Sequence, residues 1–127
     1  MLVNTTIKDA MVLVLVMESM RKSVSVNTRE NHGVIKGFQM MKDYKKIIKT
    51  LEDQLFVNKD ASEVSILDVE CTEEQAEMMR EFLSTYIGLI EDQADDEGKE
   101  IEKHPFYAST RNCLYAFLVA EMEEAAV

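Results

Sequence analysis

Apolar residues recur at helical spacing along most of this chain. The first such stretch follows Asn4, Thr5 and Thr6, all good N-cap residue types. Asp9 stands three after Thr6, close to the reciprocal capping pattern in which Glu or Gln is usual. Arg21 and Lys22 suit the negative end of a helix. The spacing predicts a helix over about residues 5–22. Ile7, Ala10, Met11, Val14, Met17 and Met20 form one stripe, and Val12, Leu13, Leu15 and Val16 widen it round most of the circumference. Valines at 12, 14 and 16 also alternate as a strand does. A helix so widely apolar requires cover on nearly all sides, from three neighbouring helices or from two and a second copy of the chain.

The stretch SVSVNTRENHGVIKG, residues 23–37, reads as a break, with Asn27 or Thr28 able to cap the next helix. Val34, Phe38, Met41, Lys45, Ile48, Leu51 and Leu55 then follow in steps of three or four, predicting a helix over about 29–56. Gly33 and Gly37, four apart, suit a close helix approach or fraying. A second break contains Val64, Ile66 and Val69, enough for one short extended segment near residues 64–70. Thr72 with Gln75 is a capping box, and Glu73, Glu74 and Glu77 suit the positive helix end. The predicted helix over 73–96 buries Ala76, Met79, Phe82, Leu83, Tyr86, Ile87 and Ile90. Pro105 suits the first turn of a last helix over about 105–123, with Thr110, Cys113, Leu114, Phe117 and Leu118 on its stripe.

One proline and four glycines in 127 residues leave too few turns for a β-sandwich. The expected fold is therefore an all-α bundle of about four helices in a single domain. The apolar run at residues 10–17 reaches only about 12 Å as a helix, too short to cross a bilayer. Cys71 and Cys113 are far apart and in no metal-binding pair. With no secretion signal visible, two free thiols point to a reducing cytoplasm.

Charge divides unevenly. Residues 1–56 hold nine Lys/Arg against six Asp/Glu, a net of +3, whereas residues 57–127 hold five against eighteen, a net of -13. The acidic part repels phosphate, so direct nucleic-acid binding is not expected there, and a basic partner surface is. Lys42, Lys45, Lys46 and Lys49 read as a solvated helix face.

Acidic pairs are the strongest candidates for chemistry. Glu73, Glu74 and Glu77 spell EExxE, and Asp92 with Asp95 spell DxxD. Carboxylates three or four apart share a helix face and suit a divalent cation. This pattern resembles the metal motif of MazG-type all-α nucleotide pyrophosphohydrolases. The resemblance implies magnesium-dependent hydrolysis of nucleoside triphosphates in an oligomer, with Glu74, Glu77, Asp92 and Asp95 as ligands. In that family the second pair opens with Glu and runs into apolar residues on a separate helix. Here it opens with Asp92 and runs into DEGKE. Glu74 and Asp92 on one unbroken helix stand about 27 Å apart, so a shared cation would need a second chain.

Around Gly98, an EF-hand loop fails at both ends, where Gln93 and His104 would stand for the required Asp and Glu. Glu100 and His104 form one near-match to a di-iron spacing that needs two. His32 sits in a polar stretch. No nucleophile motif or phosphate loop is present. The methionine doublets Met40–Met41 and Met78–Met79 cannot both face one seam, and the outer member of each suits another layer or another chain.

The residues thus favour a non-catalytic regulator, adaptor or inhibitor of the size and composition that phages and mobile elements encode. Its expected contact residues are Met40, Met41, Met78, Met79, Asp92, Asp95, Asp96 and Glu97, with self-association also expected and no cofactor. The alternatives are the magnesium-dependent hydrolase and a purely structural oligomer.

Overall fold

The computed structural model describes residues 1–126. In order along the chain it has strand β1 (Leu2–Thr6), helices α1 (Ile7–Ser19), α2 (Arg21–His32) and α3 (Val34–Val57), strand β2 (Ile66–Glu70), helix α4 (Glu73–Glu97), a 3-10 turn (Ile101–Lys103) and helix α5 (Tyr107–Ala125). The architecture is a mostly helical bundle, as the spacing predicts, with a two-stranded antiparallel sheet added.

The segment read as the start of the first helix is a strand. Leu2–Thr6 pairs with Ile66–Glu70 in the register Leu2 to Glu70 and Thr6 to Ile66. Val3 and Thr5 alternate inward opposite Leu67 and Val69, so a period of two wins over these five residues. Thr6 then ends the strand and caps α1, its Oγ1 accepting the Asp9 N–H at 3.1 Å. The Ile7 and Lys8 N–H groups donate to the carbonyls of Ser65 and Glu63, both at 3.0 Å. The loop before β2 thereby satisfies two donors that a helix start leaves open.

The run 10–17 is helical. Its inward face is Ala10, Leu13, Val16 and Met17, all at most 2 % exposed. Cover on nearly all sides is not what the fold provides: Met11 and Leu15 are 47 % and 59 % exposed. β1, α3 and α5 pack round the other side of α1 and leave this stripe open.

The break expected over 23–37 is largely a helix. Asn27 and Thr28 lie inside α2 and cap nothing, and α3 starts at Val34 rather than near 29. Gly33 makes the turn between α2 and α3 at φ 86° and ψ 170°, a conformation essentially restricted to glycine. Gly37 then lets the two helices meet: a Cβ placed there would stand 3.1 Å from the Arg29 backbone. Val34 and Phe38, expected on the buried stripe, are 73 % and 64 % exposed. The α2–α3 turn carries them beyond the core. Further along α3, Met41, Tyr44, Ile47, Ile48 and Leu51 are buried.

All seven positions expected to be buried on α4 are buried, and the Thr72–Gln75 capping box forms in both directions, at 3.1 and 2.9 Å. Pro105 stands before α5 rather than in its first turn. Leu118, expected on the inner stripe of α5, is 40 % exposed, while Ser109 and Ala120 take inner places.

Candidate functional site

Tyr44 of α3 organises the meeting point of α1, α3 and α4. Fully buried, its hydroxyl donates to the Met17 carbonyl at 2.7 Å. That carbonyl lies in the last turn of α1, where helix acceptors lack partners. The Tyr44 ring meets Phe82 edge to face at 5.4 Å, and Phe82 stacks on Tyr86 at 6.3 Å. Burial holds the Tyr44 hydroxyl protonated far into the alkaline range. It is a structural donor.

Outside this aromatic floor, α2 stands off from α4 and leaves an open cleft. Met20, Val24 and Thr28 form one wall, Met78, Phe82 and Leu89 the other, with Met40 and Tyr44 beneath. The methionine doublets split here. Met41, Met78 and Met79 are in the core and Met40 is partly buried, and of the four Met40 and Met78, from different helices, line the cleft. Asn27, Asn31 and Thr85 add hydrogen-bonding groups. His32 Nε2 stands 3.6 Å from Glu81 Oε1 and bridges the two walls at one place. The cleft is thus mostly apolar with a few polar groups at its edge, the general make-up of a binding cleft.

The acidic candidates lie apart from one another. Glu74 and Glu77 are exposed near the start of α4, and Asp92, Asp95, Asp96 and Glu97 are exposed near its end. Among the described residues no three His, Cys, Asp or Glu side chains are grouped to hold a metal ion. The EExxE and DxxD pairs are therefore not brought together within one chain. Lys99 holds Glu97 at 3.0 Å and, with Gln93, keeps its carboxyl below the usual range. His104 is spent locally, its Nδ1 accepting the Phe106 N–H at 3.2 Å.

Both cysteines are buried and free. Burial pushes the Cys113 thiol up to about 12, with the nearby Asp9 charge acting the same way. Burial also raises Cys71. Neither is a thiolate at neutral pH, so neither is an activated nucleophile. Cys113 packs instead among Thr5 and Asp9, and the Asp9 carboxylate accepts from Asn112 Nδ2 at 3.3 Å.

Sequence reasoning missed α2 as a cleft wall, since Val24 is the one apolar residue among those α2 side chains that line it, the others being Ser23, Asn27, Thr28, Asn31 and His32. No helix among the described residues is long and apolar enough to cross a membrane. No protein-family model, curated protein or solved structure matches the chain.

Proposed function

We propose that this protein is a non-catalytic regulator, adaptor or inhibitor that binds another protein in the cleft between α2 and α4. One observation carries the reading: Met40 and Met78, from separate helices, pack against the core and also line one open cleft. Methionine is unbranched and polarizable, so such a surface adapts to an incoming apolar side chain. The partner of best fit is an amphipathic helix with apolar residues at i, i+4 and i+7. Glu81 in the cleft and Glu77 one turn before it favour basic residues beside that apolar face. Two buried thiols suit a reducing, cytoplasmic setting.

Capture from a native lysate, followed by titration of the purified pair, tests this. Leu89 is 51 % exposed in the cleft, so Leu89→Lys should fold and weaken binding by about tenfold or more. Phe56→Lys, at an exposed position outside the cleft, should leave affinity unchanged. Equal affinities for the two variants would remove the cleft from the reading. Magnesium-dependent release of pyrophosphate from a nucleotide panel would replace it with the hydrolase.

A further inference from the structure

A second groove runs between α2 and α3, with the buried Met41 of α3 in its lining. Its lining includes Arg21, Lys22, Arg29, Lys42 and Lys45, with Val34 and Phe38 as apolar edges and no carboxylate. Arg21 reaches Glu18 at 3.4 Å, but the other four cations have no salt-bridge partner among the described residues. In a chain of net charge -10 this segregation runs against composition.

The opposite imbalance lies at the C-terminal end of α4. Asp92, Asp95 and Asp96 are exposed and also have no salt-bridge partner among the described residues. No basic residue occupies the last turn. Carboxylates there oppose the helix dipole, whose C-terminal end is itself negative. Asp92 and Asp96, four apart, share one face.

We infer that the α2–α3 groove receives the acidic end of α4 from a second copy of this chain. Each copy offers one groove and one acidic end, so the contact either closes reciprocally in a twofold dimer or repeats head to tail in a ring or an open string. Two chains of net charge -10 repel at long range, but at about 0.15 M salt the screening length of about 8 Å suppresses that repulsion more than the contact pairs. This inference is independent of the cleft between α2 and α4.

Charge reversal tests it through a mixing experiment. The wild type should exceed 14.6 kDa by light scattering at about 100 µM, well above a micromolar Kd. Lys42→Glu with Lys45→Glu, and separately Asp92→Lys with Asp96→Lys, should each weaken association by about tenfold or more. Mixed one to one, the two variants present complementary surfaces to each other and should associate again, which also shows that both are folded. A wild type that stays at 14.6 kDa, variants that associate undiminished, or a mixture that stays monomeric would each overturn the inference.

Discussion

Helices α2 and α4 form opposite walls of one cleft yet owe their existence to different causes. α4 buries nine side chains, starts with a complete capping box and packs against α5 and α3. α2 buries none, has no side-chain cap and leans mainly on α3. Helices of about a dozen residues are marginal alone in water. α2 is therefore helical because Gly33 turns the chain back and Gly37 lets α3 lie close, not because it contributes to the core. A cleft with one fixed wall and one lightly held wall follows directly, and such a wall adjusts to an occupant with little loss of core packing.

The largest test of this contrast compares one truncation in each helix. Leu83 of α4 is fully buried, so Leu83→Ala should cost about 2–5 kcal/mol in urea unfolding followed by circular dichroism. Val24 of α2 is only partly buried and faces the cleft, so Val24→Ala should cost no more than about 0.5 kcal/mol. Comparable costs would mean that α2 belongs to the cooperative core after all.

Next in size come the two glycines. At φ 86° and ψ 170°, Gly33→Ala should introduce about 1–3 kcal/mol of backbone strain. Gly37→Ala should push α2 outward, because its Cβ would meet the Arg29 backbone at 3.1 Å. Both effects should be local. Hydrogen exchange should quicken across Arg21–His32 while amides of Ala76–Ile90 keep wild-type protection. Loss of protection in both segments together would show that α2 and α4 unfold as one unit.

The same contrast explains what the sequence discloses. α4 was legible because its burial is strong and one-sided: the positions from Ala76 to Ile90 named by spacing are the ones that pack. α2 was not, because hydrophobic periodicity reports burial and α2 has none. The strand Leu2–Thr6 was hidden for another reason. Its partner lies more than sixty residues away, and Thr6 does serve as the helix cap that its residue type suggested. The methionine doublets were visible as candidates, but that Met40 and Met78 share a cleft depends on where α2 stands. Likewise Lys42 and Lys45 read as a solvated face until α2 sets Arg21, Lys22 and Arg29 beside them.

The smallest effect isolates the local term by itself. Thr72 accepts the Gln75 N–H at 3.1 Å, and Gln75 Oε1 accepts the Thr72 N–H at 2.9 Å. Thr72 is exposed, so replacing it by Ala removes the cap without opening a cavity. The cost should be about 1 kcal/mol, a fall in Tm of about 3–5 °C, and Thr72→Ser should recover most of it. That loss is small beside the packing of Leu83, so α4 should remain folded with its far end unaffected. α2 has no such cap to lose at Met20, and its helix rests on the turn at Gly33 and the contact at Gly37. If Thr72→Ala instead melted α4, propensity and capping rather than packing would govern that wall too, and the distinction between the two helices would disappear.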